Sequence, residues 1–466
     1  DVARANASGE RSRGGERTLS EHPIELSNRI IDTGATDAPN RVTNELSELA
    51  DGVVLVESFS HSIAVDSGDC LAVFDTSSAF TGRAVTEALR SWSTDPVDTI
   101  VYTHGHVDHV GGSGFLVADG RQRGHADPRV IGHEALPQRL ARYERTNGWN
   151  VAINARQFGG ISPSVGLGVG GGSAQFLPED VAWPTDTYAR ATSARVGERT
   201  FELHHDRGET DDHTWAWFPE EKMLLPGDLF IWVFPNAGNP QKVQRYPDDW
   251  AVALRKMAVL GPELFVPAHG LPIVGTDRIS MVLDEAASAL EFLVAGVLES
   301  MNAGMELEAI VEQVKLPAEV LEKPYLTPVY DEPEFVVRNI WRRFGGWWDG
   351  NAASLKPPTR AAVGGELLGL AGGADPVITR AQALADDGEL ALACELVELV
   401  SRALPDDAAV HEARAGLYQR RRDAELSLMA KGVYAAAARS SQHAAGLEVE
   451  RGGTRSAAGL DLESGR

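Results

Sequence analysis

The hydrophobic rhythm of the chain changes near Gly275. From Gly52 onward, short apolar runs alternate with turn residues: VVLVES, SIAVDSG, CLAVFDTSS and TIVYTH. Their β-branched content, and apolar residues that alternate or run together, predict strands of a buried sheet. TGRAVTEALRSW, between the third and fourth runs, has helical spacing. Further on, RVIGHEALPQRLARY, RTFELHHDRGET, HTWAWFPEEKMLLPGD and ELFVPAHG predict more strands joined by helices and loops. Strands alternating with helices in this way indicate a layered α/β domain.

After Gly275 the period becomes helical. SMVLDEAASALEFLVAGVLESMNA (280–303) predicts a long amphipathic helix, and MELEAIVEQV a shorter one. From Thr379 nearly everything is helical, punctuated at Gly388 and Pro405, with Ala381, Leu384, Leu392, Leu396, Leu399 and Val400 at helical spacing. A length of 466 residues calls for two or three domains. The layout expected is a polar, disordered segment 1–25, a catalytic α/β domain 26–280, a helical linker reaching the active site 281–360, an all-α domain 361–445, and a flexible tail 446–466.

Charge narrows the class of partner. A formal net charge of −24 with no cluster of basic residues repels phosphate backbones, so no nucleic-acid partner is expected. No apolar stretch is long enough for a membrane span. The N-terminal DVARANASGERSRGGERTLSEHP has no apolar core and reads as no signal peptide, although the chain begins with Asp; a cytoplasmic location is expected. Two cysteines, Cys70 and Cys394, exclude a disulfide framework and suit buried thiols in a reducing compartment.

The chemistry concentrates after TIVYT. There the chain reads His104-Gly105-His106-Val107-Asp108-His109-Val110-Gly111-Gly112. Alternation at a strand end puts His104 and His106 on one side, and a turn into a helix start aims Asp108 and His109 at a neighbouring point. One turn can therefore serve two metals, and Gly105, Gly111 and Gly112 permit the tight path. Imidazole with carboxylate suits two divalent ions, zinc in the first instance, with manganese or iron as alternatives.

This His-x-His-x-Asp-His turn resembles the hallmark of the metallo-β-lactamase superfamily. The resemblance implies an αββα sandwich and three more ligands further along the chain. Gly208-Glu209-Thr210-Asp211-Asp212-His213 stands where that superfamily carries a ligand loop, LLPGD supplies Asp228, and VPAHG supplies His269. The implied set is His104, His106 and Glu209 on one metal, Asp108, His109 and His269 on the other, and Asp228 between them. Asp108 and Asp228 are the implied catalytic carboxylates. His213 is the rival to Glu209. His204, His205 and His133 read as strand or surface residues, as does His61, although its loop could reach the site.

Glutamate at the third motif, with NGWNVAINARQFGG, VGLGVGGGS, PNAGNPQKVQRY and FGGWWDGNAASLKPP, is similar to the alkylsulfatase branch of that superfamily. LAGGADPVITRAQALADDGELALACELVELVSRALPDD resembles the helical dimerisation domain of those enzymes, implying a homodimer. Two features depart from the branch. Asp228 stands where those enzymes often carry Glu, and this sequence stops soon after Ser441, where those enzymes usually continue into a domain resembling sterol carrier protein. The expected substrate is thus a small organic sulfate ester, with no commitment to a long alkyl chain. A lactonase, thioesterase or similar ester hydrolase of the same fold is the alternative.

Charge counting adds one requirement. Two divalent ions bring four positive charges, against three from Asp108, Glu209 and Asp228 and a fourth from a bridging hydroxide. Such a core is near neutral and would act through that hydroxide or by polarising the ester. An anionic sulfate then needs further donors. Arg156, Lys242 and Arg245, with Asn150, Asn154 and Asn236, are the candidates. Trp149, Phe158, Trp232, Phe234, Trp347 and Trp348 are candidates for an apolar channel or for packing.

Overall fold

A computed structural model describes residues 20–158 and 175–447. The glycine-rich VGLGVGGGS, the first nineteen residues and the tail from 448 lie outside the described residues. Part of the segment expected to be disordered is ordered, because Pro23–Thr33 form a helix that buries Leu26 and Ile30.

Two sheets stack face to face. The first contains β1 (Leu46–Ala50), β2 (Val53–Val56), β3 (Ser62–Asp66), β4 (Leu71–Phe74), β5 (Val97–Val101), β6 (Arg129–His133) and β7 (Asp186–Tyr188), in that spatial order. It is antiparallel up to β4 and parallel from β4 to β7. The second contains β8 (Ala191–Val196), β9 (Arg199–His205), β10 (Thr214–Phe218), β11 (Met223–Leu225), β12 (Leu264–Phe265) and β13 (Ile273–Val274). Gly52 (φ 67°) takes the left-handed position in the two-residue turn that pairs Ala50 with Val53, which L side chains disfavour.

Alternation along the strands sorts the apolar residues into three layers of core. Val53, Leu55, Phe74 and Val101 face Phe201, Leu203, Ala216 and Phe218 between the sheets. Val54, Val56, Val73 and Ile100 turn outward onto Val85, Leu89, Leu116 and Leu140 of the flanking helices. On the far side, Trp215, Trp217, Leu224 and Phe265 pack on the helices Pro247–Ala258 and Thr276–Asn302. The αββα order follows from these faces. The 27-residue helix Thr276–Asn302 buries Ile279, Val282, Leu283, Ala286, Leu290, Leu293 and Val297, the stripe expected at helical period.

Four further helices, Ala374–Asp386, Leu390–Ala403, Ala408–Ala424 and Leu428–Ala444, follow Arg360–Ala371. Buried Arg414 ties three of them by donating to Glu398 Oε2 (2.7 Å), the Ala437 carbonyl (2.9 Å) and Ser441 Oγ (2.7 Å). The last helix returns to the sandwich. A Cβ on Gly432 would lie 1.5 Å from the Gln157 carbonyl, so only glycine allows that approach. Cys70 is half-buried and Cys394 buried, and neither is bridged. Among the described residues no helix is long and apolar enough to cross a membrane.

Candidate metal centre

Strand β5 ends at Val101, and the next residues carry the histidines to the rim of the sandwich before a short helix, Val107–Val110, begins. The glycines of this turn have ordinary φ. Their requirement is proximity: a Cβ on Gly105 would sit 2.8 Å from Arg139 Cδ, and one on Gly112 would sit 2.0 Å from the Thr76 carbonyl. Glu209 arrives on the loop before β10, Asp228 on the 3₁₀ turn Gly227–Leu229 after β11, and His269 on the loop after β12.

The structure brings all seven predicted ligand side chains together as two clusters, His104, His106, Glu209 and Asp228 in one and Asp108, His109 and His269 in the other. Asp228 Oδ2 faces both, at 3.8 Å from His104 Nε2, 3.3 Å from His109 Nε2 and 3.7 Å from His269 Nε2. His106 Nδ1 is 3.7 Å from Glu209 Oε1, and Asp108 Oδ2 is 3.5 Å from His109 Nε2 and 3.4 Å from His269 Nε2. Two donors about 2.1 Å from one ion at a tetrahedral angle lie about 3.4 Å apart, close to these spacings. His109 Nε2, Glu209 Oε2 and Asp228 Oδ1 are buried without a hydrogen-bond partner, which fits donors reserved for cations. The residues present fit a pair of divalent ions.

Hydrogen bonds behind the ligands set their tautomers. His109 Nδ1 donates to Asp75 Oδ2 (2.7 Å), directing its Nε2 lone pair into the site. Thr103 donates its hydroxyl to the same Asp75 oxygen (2.7 Å) and is 3.1 Å from His104 Nδ1, leaving His104 Nε2 to face inward. Asp75 itself has φ 55°, a conformation that tertiary contacts must hold. Asp212 accepts from Gly105 N (3.0 Å) and from Arg139 Nε (2.9 Å), joining the histidine turn to the Glu209 loop. None of these three supports, Asp75, Asp212 or Arg139, was signalled by the sequence motifs.

The electrostatics show what the cluster lacks. Burial drives His104 and His106 well below the usual imidazole value, with neighbouring His109 and Arg139 respectively adding to it. Desolvation acts on buried His109 and half-buried His269 too, but Asp228 and the other carboxylates overcome it and hold both above the usual value. Protons here stand where cations would neutralise converging carboxylates, and metal binding would displace them. Burial pushes the Glu209 carboxyl up to about 7, against the pull of Arg245.

The other histidines weighed as ligands or as strand and surface residues are engaged elsewhere. His61 accepts from Ser58 N and donates to the Gly270 carbonyl (2.6 Å), so both ring nitrogens are used, and burial drops it to about 4. His213 donates to the Pro226 carbonyl (3.0 Å) and stacks on His104, outside both clusters. His133 stacks on His205, and His204 on Trp215.

The residues expected to meet substrate divide. Arg245 is buried and pairs with Glu209 at 2.5 Å while donating to the Asn236 carbonyl, so it compensates a ligand rather than standing free for an anion. Asn236 donates to the same Glu209 oxygen (2.5 Å). Asn150 spends its amide on Thr146, the cap of its own helix, and exposed Arg156 donates to Gln241 (3.1 Å). Lys242 donates to Asn154 Oδ1 (3.2 Å); burial, aided by Arg245, brings its ammonium down to about 8. Tyr330, which sequence reasoning missed, accepts from Gln157 Nε2 (2.8 Å), leaving its own proton to donate. Burial, with Glu209 next, holds that phenol far above its usual value. Trp232 and Phe234 are core residues and line no channel, whereas Trp149 and Trp347 are exposed.

A mixed two-sheet sandwich with two clusters of potential metal ligands at its rim defines a class, and comparison with known proteins agrees. Residues 55–269 match the metallo-beta-lactamase superfamily, and residues 306–444 match the alkyl sulfatase dimerisation family. The chain thus joins a metallo-beta-lactamase domain to one of alkyl sulfatase dimerisation type. It is 24% identical over 379 residues to a linear primary-alkylsulfatase of Pseudomonas sp. (strain ATCC 19151), covering 78% of this chain and 69% of the relative. It is 26% identical over 360 residues to an (R)-specific secondary-alkylsulfatase of Pseudomonas sp., covering 71% of this chain and 52% of that one. The solved structure of a stereoselective inverting sec-alkylsulfatase from Pseudomonas sp. superposes with a TM-score of 0.75 at 22% identity, over 86% of this chain and 66% of that one. The chain therefore spans between about half and two-thirds of these relatives' lengths.

Proposed function

We propose that this protein is a two-metal hydrolase of organic sulfate esters. The observation that carries the reading is the convergence of seven nitrogen and oxygen donors, with glutamate rather than histidine at the third motif, on a chain that continues into an alkyl sulfatase dimerisation domain. His104, His106 and Glu209 would hold one ion and Asp108, His109 and His269 the other, with Asp228 placed to serve both. Zinc is the ion this nitrogen-rich set favours, with manganese or iron as substitutes. Bound there, the ions supply Lewis acidity toward the ester and lower the pKa of water.

The protein's own groups then orient the anion. Lys242, held by Asn154, supplies the positive charge that a near-neutral metal core lacks, and Tyr330 offers a neutral donor. Asn236 and Arg245 keep Glu209 in place as a ligand. The helical domain leaves Val363, Leu370 and Leu392 exposed, apolar side chains suited to pairing two copies in a homodimer.

The test is metal-dependent sulfate release. Chelation should abolish hydrolysis of an alkyl or aryl sulfate, and zinc or manganese should restore it. If the reconstituted protein released no sulfate from such a panel but opened a lactone or cleaved a thioester, the reading would pass to another hydrolase of the fold.

A further inference from the structure

The loop from Pro235 to Arg245 has no regular secondary structure, yet it carries Asn236, Lys242 and Arg245. Its shape is imposed from outside the sandwich. Buried Asp331, in the segment that enters the helix Pro333–Gly345, accepts from Gly238 N (2.6 Å) and Asn239 N (3.1 Å) through Oδ2. Its other oxygen accepts from Glu332 N (2.8 Å). At the next turns of that helix, Asn339 donates to the Ala237 carbonyl (2.9 Å) and the Arg245 carbonyl (3.0 Å), clasping both ends of the loop. The contact between them is close: a Cβ on Gly238 would lie 2.5 Å from the backbone of Phe335 and of Val336.

We infer that Asp331 is a positioning residue, whose carboxylate and Asn339 together mould the 235–245 loop so that Lys242 meets an anionic substrate. Three features separate this from ordinary packing. Asp331 is buried with backbone amides as its partners and, among the described residues, no salt bridge, so its site was built to hold those amides. Asn339 bonds the loop's main chain, which fixes its course whatever the side chains are. The loop also closes on the catalytic domain, where Gln241 Nε2 reaches the Ile153 carbonyl (3.3 Å) and Lys242 reaches Asn154. The helical region thereby shapes the anion side of the site. This inference rests on the sulfate-ester reading for its substrate but not for the clasp itself.

The experiment uses the full, metal-loaded chain and three variants, Asp331→Ala, Asp331→Asn and Asn339→Ala. For a sulfate ester, Asp331→Ala should raise KM about tenfold, the scale of losing charge-assisted hydrogen bonds, and leave kcat within about twofold. Asp331→Asn should recover part of the loss, because its carbonyl oxygen can accept from the same two amides while its NH₂ group faces Glu332 N. Metal content should be unchanged, and amide hydrogen exchange across 236–245 should quicken in Asp331→Ala and Asn339→Ala. Unchanged exchange and KM in both alanine variants would overturn the inference. So would a joint fall of kcat, metal content and melting temperature that Asp331→Asn does not restore. If the wild-type protein hydrolysed no sulfate ester, the functional reading would fall, while the exchange measurement would still decide the clasp.

Discussion

Asp75→Asn isolates the role of the hydrogen bonds behind the metal ligands. The backbone there has φ 55°, which asparagine tolerates better than other non-glycine residues, so the fold should survive. Asp75 Oδ1 accepts from Thr103 N (2.8 Å), and Oδ2 accepts from Thr103 Oγ1 and His109 Nδ1 (2.7 Å each). An amide cannot satisfy all three. With its oxygen toward Thr103 N, its NH₂ faces His109 Nδ1, which must give up its proton and carry it on Nε2, blocking the metal. With the amide flipped, two N–H groups confront each other, costing about 1–3 kcal/mol for an unsatisfied buried donor. Either arrangement predicts metal affinity weaker by about 10–100-fold, the usual effect of removing such a partner. Calorimetric titration of the apo variant with zinc reads this directly, with circular dichroism as the check on folding. A correctly folded variant that bound both ions as tightly as wild type would refute the argument that Asp75 sets the His109 tautomer.

Two other expectations follow from single observations. The Lys242 ammonium sits at about 8, pulled down first by burial and then by Arg245, so it is charged below that pH and loses its proton above it. KM for an anionic ester should therefore climb as pH rises through about 8. In Lys242→Met that limb should vanish, with KM higher throughout by roughly ten- to hundredfold for a lost charge-assisted bond of about 1.5–3 kcal/mol; a pH profile identical to wild type would remove Lys242 from substrate binding. Gly432→Val places branched carbon against the Gln157 carbonyl, which a Cβ would approach to 1.5 Å. Forcing that contact should cost about 1–3 kcal/mol or more, read as a lower urea midpoint with the last helix detached; an unchanged midpoint would show that the helix does not depend on this approach.

The local part of the site was legible in the residues themselves. His104, Gly105, His106, Asp108 and His109 are neighbours in the chain, so strand alternation and one turn fix their relative directions before any tertiary contact forms. The period of the apolar positions likewise sets strands such as VVLV and the long helix after Gly275. Resemblance, rather than geometry, pointed to Glu209, Asp228 and His269, and the fold brings all three to the same rim.

Tertiary structure alone decided which polar side chains stand behind the candidate metal ligands. Asp75 meets His109 across 34 residues, Asp212 meets Gly105 across 107, and Asp331 meets Gly238 across 93. Carboxylates are common in an acidic chain, and nothing in the sequence around one tells which amide or imidazole it will reach. The same holds for Arg245, a plausible anion receptor by type that the fold instead buries against Glu209. Hydrogen bonds act over about 3 Å. The covalent chain therefore fixes partners only a few residues apart, and the packing of sheets and helices chooses all the rest.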